Sequence, residues 1–162
     1  MPCITLPRVV VEELERRAAE RGVSVEELLL DLLGGDGGAE LYARAAEEFV
    51  EEARHMLSEG DLGQAAQRLW VAAAMAVKAH ALARDGKVLS SQAELWEYKD
   101  EVARELGGWV RQAFIQAYAL RSAPSEAITR GDVEEVLRDI EALVRRMTAA
   151  LSRPAGSGGG QP

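Results

Sequence analysis

The chain has 162 residues, of which 48% are hydrophobic and 28% charged, a composition typical of a folded domain rather than a disordered or fibrous protein. Its formal net charge of −8 argues against a surface that coats nucleic acid, because phosphate binding needs clustered Lys and Arg. No stretch is long and apolar enough for a membrane span, and no signal-peptide pattern is visible. The single cysteine, Cys3, excludes an intrachain disulfide, so we expect a cytoplasmic protein.

The first predicted unit is an N-terminal helical arm, residues 1–33. It begins with a short strand-like run, Cys3–Leu6, and continues as two helices over about 8–21 and 24–33, separated by a glycine. The Gly-rich stretch 34–38 follows and is predicted to be a linker.

Each arm helix carries an apolar stripe, and Leu14 and Leu28 belong to these stripes. Two short helices cannot bury both stripes by themselves. We therefore expect the arm to dock on apolar surface, either of its own bundle or, with a slight preference, of a partner's bundle. Leu14 and Leu28 are accordingly interpreted as interface residues.

Residues 39–151 show helical periodicity throughout and predict an all-α fold, an antiparallel helical bundle. Its centre is an Ala-rich helix over about 61–83 with apolar residues on most of its circumference, a pattern typical of a helix that is surrounded by others. The other bundle helices are expected over about 39–58, 91–106, 109–120 and 129–151. The Gly-rich residues 152–162 are expected to form a disordered tail.

Few side chains are candidates for chemistry. The only two histidines, His55 and His80, belong to no metal-binding or catalytic motif, so we predict no catalytic residues, no metal and no cofactor. Lys78, His80 and Arg121 remain as candidates for binding a ligand or a phosphate. For Lys78 the favoured interpretation is a side chain that reaches the surface. For His80 it is a structural role, because no carboxylate partner is visible.

Three aromatic residues, Trp96, Tyr98 and Trp109, lie within a short stretch of the chain. They are interpreted either as a hydrophobic cover over the bundle or as a groove or dimer interface, since Trp and Tyr are frequent at buried interface centres.

The central blocks of the bundle resemble a known family. The blocks are Gly60-Asp61, Gln64-Ala65, Arg68-Leu69-Trp70 and Ala73–Ala79, then Ser91 with Glu94–Tyr98, then Trp109 and Phe114. This pattern is similar to that of the archaeal PaREP family and, through it, to the HEPN-like superfamily of small helical bundles. The resemblance covers about residues 39–150 and implies a homodimer. HEPN-like proteins include RNases of toxin–antitoxin and defence systems, and others pair with a nucleotidyltransferase.

The chain departs from the RNases of this superfamily at the decisive positions. Their Arg-x(4–6)-His motif is missing, because no Arg stands five to seven residues before His55 or His80. Gln92 stands where relatives tend to have His, and Arg121 is interpreted as a remnant of a phosphate-binding arginine. The resemblance therefore implies a catalytically silent member.

The arm itself has a weaker resemblance, to ribbon-helix-helix DNA-binding proteins, in its order of strand, helix and helix. In those proteins paired strands present polar or basic side chains to the bases, whereas only Thr5 is available here. Residues 1–33 also carry four Arg against seven Asp and Glu, a local charge of −3. The arm is therefore interpreted as an element for oligomerisation or for covering the bundle.

The preferred hypothesis is a non-enzymatic homodimeric interaction module, with nucleic acid and membrane partners not expected. The first alternative is an RNase or nucleotide-binding protein, and the second is a DNA-binding regulator that uses the arm. Asparagine is absent from the chain, which favours a thermophilic source or reflects a GC-rich genome.

Overall fold

A computed structural model describes residues 3–33 and 38–152, and within these residues the chain is helical with no strand. The elements are α1 (Arg8–Arg21), α2 (Val25–Leu33), α3 (Gly38–Ser58), α4 (Leu62–Asp85), α5 (Gln92–Leu106), α6 (Trp109–Ser122), a short 3-10 turn (Ser125–Ala127) and α7 (Arg130–Leu151). The predicted all-α fold is confirmed. No helix in the described residues is long and apolar enough to cross a membrane.

The predicted boundaries need two corrections. Cys3–Leu6 does not form a strand. Gly38 is not part of a linker, because it is buried as the first residue of α3, where an added Cβ would lie 2.8 Å from a methyl group of Leu82. Residues 34–37, the rest of the predicted linker, and residues 153–162 of the predicted tail lie outside the described residues.

Capping residues explain where several helices begin. The backbone N–H of Glu27 donates to the Ser24 hydroxyl, and the Ser24 N–H donates to the Glu27 carboxylate, which is a reciprocal capping box at the start of α2. Thr129 and Asp132 form the same arrangement at the start of α7. Ser91 accepts from the third residue beyond it at the start of α5. These side chains satisfy N–H groups that the first helical turn leaves unpaired.

The Ala-rich helix α4 lies at the centre of the bundle. Six consecutive residues, Ala72–Val77, have no exposed surface, and α4 packs against α3, α5, α6 and α7. Alanine makes this possible because its small side chain lets neighbouring helices approach closely while Leu69, Trp70 and Met75 fill the remaining space. The predicted position of this helix is confirmed.

The arm lies on the bundle of its own chain. Helix α1 packs against α2, and α2 packs against α3, with Leu30 contacting the main core. This is the less favoured of the two arrangements predicted for the arm. Helix α1 buries only Ala18, so the part of the arm farthest from the bundle stays largely exposed.

Candidate functional site

Lys78 is the most deeply buried charged residue of the described chain, with 1% of its surface exposed. Its ammonium group does not reach the surface, so the expected snorkelling is wrong. Instead Nζ lies 3.0 Å from Oδ1 and 3.1 Å from Oδ2 of Asp31, which projects from α2 of the arm. A buried ammonium is costly unless a counter-charge accompanies it, and Asp31 supplies that charge.

Tyr42 on α3 completes this contact. Its hydroxyl donates to Oδ1 of Asp31 at 2.6 Å, and its ring lies 6.0 Å from the Lys78 ammonium. Burial, together with the hydrogen bond to the Asp31 carboxylate, raises the pKa of Tyr42 well above its usual value, so the phenol keeps its proton and remains a donor. We call Lys78 and Tyr42 the carboxylate seat, because both donate to the same carboxylate.

A second, more exposed ionic contact runs between the same two parts of the chain. Arg68 on α4 lies 3.2 Å from Glu26 of α2 and 3.3 Å from Glu52 of α3. Acidic side chains of α2 thus meet basic side chains of α4 at two places. These ionic contacts accompany the apolar contact of Leu30 with the core where α2 lies on the bundle.

His80 is also buried, and it has the carboxylate partner that was not expected. Its Nε2 lies 2.8 Å from Oε1 of Glu105, and its Nδ1 lies 3.1 Å from the hydroxyl of Tyr98. Tyr98 donates its proton to Asp85 at 2.6 Å. Because that proton is committed to Asp85, the Tyr98 oxygen faces Nδ1 as a hydrogen-bond acceptor.

Glu105 joins this network to the C-terminal helix. Arg84 binds both of its carboxylate oxygens, at 3.0 and 2.9 Å, and also donates to the backbone carbonyl of Ala150 in α7. The hydrogen bond from Arg84, with a smaller contribution from His80, lowers the pKa of Glu105 to about 2. The network therefore ties the end of α4 to α5 and α7, which is a structural role.

A cleft of about 610 Å³ lies beside the network, with Asp85 and Tyr98 in its wall. Its other charged lining residues are Lys87, Glu94, Glu97 and Glu101. A cleft with four carboxylates and one ammonium repels phosphate groups, so its electrostatics disfavour an RNA or nucleotide ligand.

The structure does not bring Arg121 together with Lys78 or His80. The guanidinium of Arg121 lies over the rings of Trp70 and Tyr118, at 5.8 and 6.0 Å. Each of the three ligand-binding candidates thus has its own set of partners within the chain. Within residues 3–33 and 38–152 no cluster of His, Cys, Asp and Glu could hold a metal ion.

The predicted aromatic surface is not one surface. Trp96, near the start of α5, packs against Phe114 and Tyr118 of α6. Trp109 lies beyond the other end of α5, where Arg146 of α7 lies 5.6 Å over its ring. Tyr98 faces the His80 network instead. The three side chains therefore do not lie on one continuous surface, because Trp96 packs on α6 near the start of α5 whereas Trp109 lies beyond the C-terminal end of α5.

The arm carries most of the exposed apolar surface. Eight of the eleven large hydrophobic side chains that are exposed in the described residues belong to it: Ile4, Leu6, Val9, Val10, Val11, Leu29, Leu32 and Leu33. We call these eight residues the arm patch. Leu28 is buried and Leu14 partly buried, and both line a groove of about 740 Å³ between α1 and α2. Val9, Val10 and Leu32 of the arm patch line the same groove as Leu14, so Leu14 remains a predicted interface residue, whereas Leu28 is only 3% exposed.

Comparison with known proteins agrees with the helical fold. A crystal structure of a protein from Sulfolobus solfataricus matches with a TM-score of 0.57 and 22% sequence identity, over 66% of this chain and 96% of that one. No curated protein matches. The model of the archaeal PaREP1/PaREP8 family matches residues 41–144, a region that includes the carboxylate seat but not Asp31. The chain belongs to the archaeal PaREP1/PaREP8 family.

Proposed function

We propose that the protein is a non-enzymatic homodimeric interaction module and that the arm patch is its contact surface. The observation that carries this proposal is the concentration of exposed large apolar side chains on the arm. Val9, Leu32 and Leu33 are 71%, 66% and 69% exposed. A monomer rarely leaves such a group in water, and apolar groups of this kind mark interaction sites.

The polar side chains support a role in binding rather than catalysis. Lys78 binds Asp31, and His80 binds Glu105 and Tyr98, so neither has a free donor directed at an open cleft. In the arm, Arg16 and Arg17 both pair with Glu13, which disfavours phosphate contacts through α1. These pairings support the proposal that the protein is a catalytically silent, HEPN-like member of its family. A cytoplasmic location and a protein partner such as a nucleotidyltransferase belong to the same proposal.

The mass of the protein in solution tests this proposal. Light scattering at tens of micromolar should give twice the chain mass of 17.6 kDa for the wild type. The double variant Val9→Asp, Leu32→Asp should give the monomer mass with an unchanged helix content, because both side chains are exposed and their loss leaves the core intact. Val88→Asp is the matched control, because Val88 is 55% exposed but lies outside the arm patch. A monomeric wild type, or a double variant that stays dimeric, contradicts the proposal.

The second candidate function is an RNase or nucleotide-binding activity, which the pairing of His80 with Glu105 favours. A histidine oriented by a carboxylate is a common general base. The acidic cleft beside it opposes this candidate, since phosphates would meet four carboxylates. RNA cleavage that Arg121→Ala or His80→Gln abolishes would establish the second candidate and overturn the first.

A further inference from the structure

A buried ionic contact joins the arm to the bundle. Lys78 and Tyr42 donate to a single carboxylate, that of Asp31, which is 47 residues away from Lys78 in sequence. The seat lies within the part of the chain that matches the family, whereas Asp31 lies outside it. Asp31 of the arm is thus bound by side chains that belong to the family-matched part of the chain.

Every copy of the chain carries both parts of this contact. A second copy presents the same acidic α2, with Asp31 for the seat, Glu26 for Arg68 and Leu30 for the core. Docking α2 on the other copy would form the same bonds that it forms on its own bundle. Exchange of an identical element therefore costs little free energy. Additional surface that only the exchanged dimer buries would then favour it over arms that stay on their own bundles.

The arm patch is such a surface. Docked on its own bundle, the arm leaves α1 with one buried residue and leaves Val9 and Leu32 in water. A second copy packed on these side chains would bury apolar surface that the arm leaves exposed on its own bundle. The connection from Leu33 to Gly38 spans at most about 18 Å, so exchange requires the two bundles to lie side by side near the start of α3.

We infer that the homodimer exchanges its arms, with Asp31 of each copy bound in the carboxylate seat of the other copy. This inference rests on the homodimer proposed above and names the residues that hold it together. The partner is a second copy of this chain, because its α2 carries the complementary carboxylates and the apolar residues in the register that the seat requires.

Mixing two variants tests the exchange. Asp31→Asn removes the carboxylate but keeps the seat, and Lys78→Met removes the ammonium but keeps the carboxylate. Neither variant alone can form the ionic pair in any arrangement. In a mixture, an exchanged heterodimer restores one native Asp31–Lys78 pair and matches a neutral amide with a neutral Met at the other seat. Arms that stay on their own bundles gain nothing from mixing.

The two variants, one of them labelled with ¹⁵N, are refolded together from urea and weighed by native mass spectrometry. The expected result is a heterodimer share well above the one half of random association, and a melting temperature of the mixture above that of either variant. A heterodimer share at one half, with unchanged melting, overturns the exchange. If either variant is insoluble alone, the exchange predicts that the mixture is soluble. An insoluble mixture contradicts the exchange of arms.

The wild type separates this inference from the proposed function. A monomeric wild type under the same conditions contradicts both. A dimeric wild type combined with random association of the variants contradicts the exchange alone and leaves the dimer intact. A mixture of wild type with labelled wild type provides the random share as the control.

Discussion

Removal of the Asp31 carboxylate should cost far more stability than removal of an exposed ion pair. Asp31→Asn leaves the Lys78 ammonium, 1% exposed, among apolar side chains of α4 without a counter-charge. Breaking one partner of a buried pair typically costs about 3–5 kcal/mol. For a domain of this size each kcal/mol corresponds to about 2–4 °C in melting temperature. We therefore expect a decrease of roughly 6–20 °C.

The loss has an upper limit that the structure explains. If α2 leaves the bundle, water reaches the Lys78 ammonium and its burial no longer costs free energy. The stability lost in Asp31→Asn therefore cannot exceed the free energy with which α2 docks on the bundle. Tryptophan fluorescence in urea reports the bundle, because Trp70, Trp96 and Trp109 all lie in it. Hydrogen exchange of the α2 amides reports docking. If the loss reaches its limit, α2 exchanges rapidly while the fluorescence transition keeps its cooperative shape.

Two comparisons isolate the ionic contact. The double variant Asp31→Asn, Lys78→Met should recover part of the loss, because both partners are then neutral and no charge remains buried. Arg16→Ala, which removes the exposed pairs with Glu13 and Glu20, should change the unfolding free energy little. If Asp31→Asn is no more destabilising than Arg16→Ala, the pair does not hold the arm and the reasoning is refuted.

Two further predictions concern α5 and its C-terminus. Gly107→Ala should lower the free energy of unfolding in urea by about 1–3 kcal/mol, because Gly107 has a φ of +122° and an added Cβ would lie 2.9 Å from Cδ1 of Trp109. The neighbouring Gly108→Ala is the control, since a Cβ at Gly108 meets no atom within 4 Å and the variant should be close to neutral in the same measurement. Glu105→Gln should lose about 1–2 kcal/mol at pH 7, allowing for a side chain that is one-third exposed, and the deficit should shrink as the pH falls from about 4.5 to 2. The sign follows because a pKa that folding lowers stabilises the protein fully above the unfolded pKa, and this contribution is lost as the pH falls towards the folded pKa. A deficit at pH 2 as large as that at pH 7 contradicts this reasoning, and Glu101→Gln, on the exposed pair with Arg104, is the control.

The helices were predictable because their signals are local. An Ala-rich stretch with apolar residues all round can only be a central helix, and Ser24, Ser91 and Thr129 cap helices through hydrogen bonds to residues three positions away. These interactions need no knowledge of the tertiary structure. The same is true of the glycine that ends α1 in the left-handed conformation, Gly22.

The buried ionic contacts were missed because their partners are distant in sequence. Glu105 lies 25 residues after His80, and Asp31 lies 47 residues before Lys78. One signal for the second pair was present. Asp31 is the only charged residue in the run Leu28-Leu-Leu-Asp-Leu-Leu33, and Lys78 is the only Lys of the Ala-rich helix α4. Each of these two charges would be costly to bury alone, so the sequence favours Asp31 and Lys78 as partners.

Lys78 and His80 lie on one helix but belong to separate networks of contacts. Two residues apart on an α-helix, their side chains point about 200° from each other. Lys78 faces the arm and is paired by Asp31, whereas His80 faces α5 and is paired by Glu105, which Arg84 links to α7. No partner is shared between the two sets, so opening the contact on one side of α4 leaves the other side's hydrogen bonds in place. In the exchange inferred above, the network around His80 would keep α4 in the bundle while the contact at Lys78 opens.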